Sequence, residues 1–248
     1  MSESIARRID HSLLHPTLTD AELRAGLEEA RALHVASVCI KPYAVRLAAD
    51  ALAGSGVAVC TVIGFPHGSS STEAKAAEAE IACRDGATEL DMVINVGKAL
   101  SGDWAYVEQD VRAVVDVAHR HGAKTKVIFE NDYLTRDEQK IKLCDICRRA
   151  GAEWVKTSTG FGFVKQPSGD YNYRGATPDD VALMQRHAGP TMQVKAAGGI
   201  RSYADARQFA DLGATRIGAS ATAAIVAQEK NHGGAEVAAA QKRAPEGY

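Results

Sequence analysis

The chain has 248 residues, 46% of them hydrophobic and 24% charged, with a net charge of -2 at pH 7. That length and apolar content can bury one large core, so a single α/β domain spanning residues 1–248 is expected. The near-neutral charge, with no basic patch interleaved with aromatics, argues against nucleic acid or an anionic membrane as partner, and no apolar run approaches the roughly eighteen residues of a membrane span.

The first residues, Met1 to Arg8, lack the apolar stretch of a secretion signal, which points to the cytoplasm. The five cysteines, Cys39, Cys60, Cys83, Cys144 and Cys147, agree with that, because an odd number in a chain this long reads as free thiols in a reducing compartment. Cys144 and Cys147 form a C-x-x-C inside a helical pattern with no second pair, so they read as packing and not as a zinc site.

After a short N-terminal helical segment, Ile9 to Leu13 reads as a strand. Thr19-Asp-Ala-Glu22 then opens a helix by the capping-box pattern, in which the Thr and Glu side chains satisfy free amides of the first turn. Further openings are expected at Ser70 with Glu73, at Thr135 with Glu138, at Thr177 before Pro178, and more weakly at Ser202 with Asp205. Gly86, Gly122, Gly151 and Gly213 each follow an amphipathic run, as left-handed helix ends do. Between them lie short β-rich runs near Cys39, Val62, Asp91, Ile128, Val155, Val194 and Ile217.

With the first strand, these runs make about eight β-α units, the number that closes a (β/α)8 TIM barrel. Their near-continuous hydrophobicity fits a parallel sheet covered by helices. An open doubly wound sheet fits less well, since no Gly-rich dinucleotide turn follows the first strand. Residues 161–175 make a long connection, and such loops are commonly either functional lids or flexible insertions. The segment from about Lys230 to Tyr248 is rich in Ala, Gly and charge and reads as a flexible tail.

Four ionisable residues interrupt four apolar strands: Asp91, Lys126, Lys156 and Lys195. A buried ammonium is costly unless it is paired, neutralised or used, so the group asks for a function. Strands of one sheet run about 4.8 Å apart, which can bring Lys156 and Lys195 together. Like charge then favours a free amine on one of them, the condition for attack on a carbonyl to give a Schiff base. Asp91 can offset positive charge and move protons, and Lys126 can hold that carboxylate. The glycines of Lys195-Ala-Ala-Gly198-Gly199 and of Gly218-Ala-Ser220 follow the last two strands, where barrels bind phosphate on backbone amides. The eight histidines show no compact ligand spacing, and no metal and no cofactor is expected.

The motifs Asp10-His-Ser-Leu-Leu14, Glu89-Leu-Asp-Met-Val93, Lys126-Val-Ile128, Val155-Lys-Thr-Ser-Thr-Gly160, Val194-Lys-Ala-Ala-Gly-Gly-Ile-Arg201 and Gly218-Ala-Ser220 together resemble the deoxyribose-phosphate aldolase family over nearly the whole chain. The resemblance implies a metal-independent class I aldolase that joins acetaldehyde to glyceraldehyde 3-phosphate reversibly. By motif match it makes Lys156 the Schiff-base lysine, Lys195 its neighbour that lowers its proton affinity, Asp91 the proton relay and Lys126 the partner of Asp91. It further implies substrate contacts from Asp10, Cys39, Thr159, Gly198, Gly199, Gly218 and Ser220. Many members carry a lysine directly after the Lys-Thr-Ser-Thr-Gly motif, where this chain has Phe161; Asn131 and Ala221 also depart from the pattern. Lys165 and Arg174, in the long loop, are the cations expected to fold back and replace the missing contact. Homodimer and homotetramer both remain open, and a different class I aldolase acting on another aldehyde phosphate is the competing reading.

Overall fold

The computed structural model describes residues 4–243, with side chains through residue 232. After a 3-10 turn at Ile5–Arg8 come eight parallel strands that close on themselves: β1 (Ile9–Leu13), β2 (Ser37–Ile40), β3 (Ala58–Ile63), β4 (Glu89–Val93), β5 (Lys124–Ile128), β6 (Trp154–Lys156), β9 (Gln193–Ala197) and β10 (Arg216–Ala219). The remaining two, β7 (Val164–Lys165) and β8 (Tyr171–Asn172), form a small antiparallel hairpin outside the barrel. Each expected strand is present. The stretch read as a loop over residues 161–175 thus carries a hairpin, with Phe163 stacked on Tyr171 at 4.2 Å between ring centroids.

The helices are α1 (Asp20–Leu33), α2 (Val45–Leu52), α3 (Thr72–Arg84), α4 (Val96–Leu100), α5 (Trp104–Arg120), α6 (Asp137–Ala150), α7 (Pro178–Ala188), α8 (Tyr203–Asp211) and α9 (Thr222–Arg243). Alternate strand residues point outward under them. Ile9, Val38, Ile63, Leu90, Met92, Val127, Val155, Val194 and Ile217 are all buried there, forming the main core against helix residues such as Leu27, Val111, Leu143 and Met184. Each such side chain contributes about 1.5–3 kcal/mol of burial, so this layer drives closure.

Helix boundaries follow the local chemistry, with two shifts. Thr19 and Glu22 make the full capping box at α1, as do Ser202 and Asp205 at α8, and Thr177 caps α7 ahead of Pro178. At α3 the capping side chain is Ser71, not Ser70, and it accepts from the amide of Ala74. At α6 the cap position falls on Arg136, not Thr135, with Gln139 accepting from the Arg136 amide. In both cases the next polar residue along closes the turn equally well, so a run of capping residues leaves the start ambiguous by one. Gly86, Gly122, Gly151 and Gly213 all have positive φ, as the left-handed helix ends require. Cys144 and Cys147 are buried in α6 among core residues.

Helix α9 carries the backbone past Lys230 to Arg243, where composition read as a loose tail. Tyr248 lies outside the described residues. Among the described residues, no helix is long and apolar enough to cross a membrane.

Candidate active site

Parallel register puts the ionisable residues at facing positions inside the barrel. Asp91 on β4 pairs with Lys126 on β5, and Lys156 on β6 pairs with Lys195 on β9. All four are buried, as is Asp10 on β1. Asp91 is the hub. Its Oδ2 accepts from Lys156 at 2.7 Å and from Lys195 at 2.8 Å, and its Oδ1 accepts from Lys126 at 2.9 Å. Asp10 accepts from Lys195 on Oδ2 and from Arg216 on Oδ1.

Electrostatics follows this pairing. Burial alone pushes the carboxyl groups of Asp10 and Asp91 up, but the cations outweigh it: Lys126, Lys195 and Arg216 around Asp10, and the three lysines around Asp91, hold both below the ordinary carboxylate range. Burial pulls the Lys126 and Lys195 ammonium groups down, and Asp10 and Asp91 overcome it to raise both. These two lysines are therefore cations held in place.

Cys60 lies under the hub, its sulfur 3.1 Å from Asp91 Oδ1 and 3.2 Å from Lys126 Nζ. Burial pushes its thiol up, so it donates to the carboxylate as a neutral group. Cys39 is its neighbour across β2 and β3, at 3.8 Å between sulfurs. Two cysteine sulfurs and a carboxylate oxygen of Asp91 within 4.8 Å of one another have the spacing of a three-ligand metal site. Both Asp91 oxygens already receive ammonium hydrogens, however, and a dication there would sit against Lys126, so we do not read this trio as a ligand set.

Above the hub a cavity of about 370 Å³ opens at the C-terminal ends of the strands. Of the residues expected in the site, Asp10, Cys39, Lys156, Thr159, Lys195, Gly198, Gly199, Gly218 and Ser220 line it, while Asp91 and Lys126 stand behind its floor. Gly198 has φ +94, and a side chain there would strike Gly175 Cα at 2.9 Å, so glycine is needed for the two loops to approach.

Thr159 is less free than a binding residue would be. Its hydroxyl donates to Glu130 and accepts from the Phe161 amide, and its own amide also donates to Glu130. Glu130 holds this loop from a left-handed backbone, φ +58, and burial raises its carboxyl. Such strain in a non-glycine residue costs about 1–3 kcal/mol and is sustained here by the bonds to Thr159.

Lys165 and Arg174 do not line the cavity. Both are exposed, and the Arg174 amide donates to Asp132 along a different depression under the hairpin. The hairpin turns these cations away from the mouth; from the loop Phe161 and Tyr173 line it, and Arg201 joins them from the end of the β9 motif. Phe161 takes part in a small apolar wall with Leu14, Cys39, Val62 and Phe65, its ring edge-on to Phe65 at 5.4 Å. Arg201, Glu130 and two floor residues, Glu89 and Arg216, were not singled out from sequence. Arg201 had a usable signal, as a cation two residues past Gly199; Glu89 and Arg216 had none, because an acid or arginine at the start of a strand looks like an ordinary exposed strand end, and Glu130 had none because it follows β5 in a connection.

A closed barrel whose mouth opens onto two lysines sharing one carboxylate defines a class of enzyme: barrel lyases that act on carbonyl compounds through a lysine amine. The DeoC/LacD family aldolase model matches residues 5–236, and the chain belongs to that family. It is 49% identical over 226 residues to the deoxyribose-phosphate aldolase of Rhodopirellula baltica, covering 91% of this chain and 89% of that one. To the enzyme of the same name from Caldanaerobacter subterraneus subsp. tengcongensis it is 48% identical over 231 residues, covering 93% and 95%. Among solved structures, the tetrameric deoxyribose phosphate aldolase of Aeropyrum pernix superposes with a TM-score of 0.81 at 35% identity, covering 92% of each chain.

Proposed function

We propose that the protein cleaves 2-deoxy-D-ribose 5-phosphate reversibly to D-glyceraldehyde 3-phosphate and acetaldehyde, through a Schiff base on Lys156. The observation that carries this reading is the unequal pairing of the lysines. Among the described residues, Lys126 meets three carboxylates and Lys195 two, whereas Lys156 meets one, Asp91; Lys156 and Lys195 both line the cavity. Lys156 thus has the fewest carboxylate partners of the three and reaches the cavity, the position from which its nitrogen can attack a carbonyl.

In the synthetic direction, Lys156 Nζ adds to the acetaldehyde carbonyl, and the carbinolamine loses water to give an iminium ion. Loss of a methyl proton gives the enamine, whose carbon attacks the aldehyde of glyceraldehyde 3-phosphate, and water then releases the sugar. Asp91, which touches Lys156, would move protons to and from the reacting oxygen, directly or through water, during carbinolamine formation and breakdown. Asp10, held by Lys195 and Arg216, faces the mouth as an acceptor for a sugar hydroxyl. Gly199, Ser220 and the cation of Arg201 converge at the other rim, where the phosphate would sit. No step calls for a metal ion, and activity should survive exhaustive chelation.

The curated relatives named deoxyribose-phosphate aldolase, alike over about nine-tenths of this chain, support the substrate. One observation favours a second reading, an acceptor aldehyde of lower charge: Phe161, backed by Phe65, presents hydrocarbon at the mouth. Product analysis with phosphorylated and unphosphorylated sugars separates the two. The five free cysteines agree with a cytoplasmic setting, and the tetrameric relative makes a homo-oligomer the expected working state, readable by light scattering. The decisive experiment is reduction with borohydride in the presence of acetaldehyde followed by peptide mapping. The adduct is expected on Lys156, and finding it on Lys126 or Lys195 would overturn the assignment.

A further inference from the structure

Beneath the cavity the charged side chains close into a ring of alternating sign. Arg216 donates to Asp10 Oδ1 at 2.6 Å, Asp10 accepts from Lys195, and Lys195 donates to Asp91 at 2.8 Å. Asp91 accepts from Lys126 at 2.9 Å, Lys126 donates to Glu89 Oε2 at 2.6 Å, and Glu89 Oε1 returns to Arg216 at 2.6 Å. Three cations face three carboxylates, so the ring is neutral without Lys156, which hangs from it through Asp91. Arg216 and Glu89 are the first residues of β10 and β4 and do not line the cavity; the guanidinium lies 5.0 Å from the centroid of the Trp154 ring, which helps fix it.

The geometry points to Arg216 and Glu89 as positioning residues that set the protonation of Lys156 through the charge balance of this ring. The inference rests on Lys156 being the reactive amine. With the ring complete, a proton on Lys156 adds one positive charge to a set of ring charges that already cancel. Removing Arg216 leaves the ring one positive charge short, and the Lys156 proton then fills the deficit. Removing the charge of Glu89 leaves one positive charge too many, and Lys156 gives up its proton more readily. The two changes act in opposite directions although both residues belong to the same ion pair. Loss of packing or of local order would push both variants the same way.

Among the described residues, Cys39 on β2 and Glu130 after β5 also face Lys156, and Cys60 on β3 touches its partner Asp91. They are common to every variant compared and cancel in the comparison. No covalent chemistry is required of Arg216 or Glu89.

The test is the rate at which acetaldehyde and cyanoborohydride label Lys156, followed by mass spectrometry from pH 5 to pH 10 in wild type, Arg216→Gln, Glu89→Gln and the double variant. The rising limb of the wild-type profile reports release of the Lys156 proton. Arg216→Gln is expected to move that limb to higher pH by about one unit, and Glu89→Gln to lower pH by about one unit, as one buried unit charge at an effective dielectric near 20 would do. The double variant should return to the wild-type position. A limb that stays in place in both single variants, or moves the same way in both, overturns the inference. Should Arg216→Gln fail to fold, Glu89→Gln still decides, because no shift or an upward shift contradicts the ring account. Wild type that takes no label on Lys156 at any pH would instead sink the Schiff-base reading itself, which keeps the two failures apart.

Discussion

At the scale of single residues, contact with a shared carboxylate sorts three chemically identical lysines into different parts. Lys195 lies between Asp10 and Asp91, so it is both the like-charge neighbour expected of it and a cation the site needs. Lys195→Leu removes a ring cation and leaves two buried carboxylates short of a partner, so Lys156 keeps its proton at neutral pH. Turnover should fall about 100-fold or more, by loss of the free amine, and steady-state kinetics from pH 6 to pH 10 would show partial recovery at the alkaline end. Full activity at neutral pH would contradict the charge account. At the mouth, the cation that matters is Arg201 rather than Lys165 or Arg174. Arg201→Ala should raise KM for deoxyribose 5-phosphate about 10- to 100-fold, the size of a lost charge-assisted hydrogen bond, with little change for unphosphorylated deoxyribose. Lys165→Ala and Arg174→Ala should match wild type with both sugars.

At the scale of elements, α3 and α5 are joined by a buried pair outside the site. Lys75 Nζ donates to Asp110 at 2.5 Å and to the Val93 carbonyl at 2.9 Å, and Thr72 donates to the same aspartate at 3.0 Å. Lys75 and Asp110 have no solvent exposure, and burial pulls the Lys75 ammonium down despite its partner. Removing one member strands the other's charge in the core. Lys75→Met should therefore cost about 3–5 kcal/mol in urea unfolding, while Lys75→Met combined with Asp110→Leu should cost much less. Additive losses in the two single variants would mean that the pair is not coupled. The pair also ties α3 to the end of β4, just past Asp91, so the single variant is expected to lose activity along with stability.

At the scale of the whole molecule, the same buried charges govern the response to pH. Asp10 and Asp91 have folded-state values below their unfolded ones, so their contribution is present above the ordinary carboxylate range and is lost as pH falls below about 4. Lys126 and Lys195 are raised, so theirs is present at neutral pH and is lost only as pH climbs beyond the ordinary lysine range. Thermal unfolding should show a broad plateau around neutrality and a steep acid limb. In Asp91→Asn, part of that acid limb should disappear, because one of the carboxylates that must take up a proton is gone. An acid limb of unchanged steepness would place the titrating groups elsewhere.

What the sequence by itself determined is local or periodic. The eight strands, the caps at Thr19, Thr177 and Ser202, the glycine helix ends and the charged interruptions at Asp91, Lys126, Lys156 and Lys195 all show as short-range patterns, because propensity, capping and burial act over a few residues. The family resemblance was legible for the same reason, being carried by contiguous motifs at strand ends. Only the tertiary structure decided which charges meet. Barrel closure pairs β1 with β10 and brings Arg216 to Glu89 across 127 positions of sequence, completing a ring that no local pattern announces. The same holds at the mouth, where hairpin packing turns Lys165 and Arg174 outward and leaves the rim to Arg201. Side-chain direction in a long connection depends on contacts made after the chain has closed, and closure depends on every strand at once.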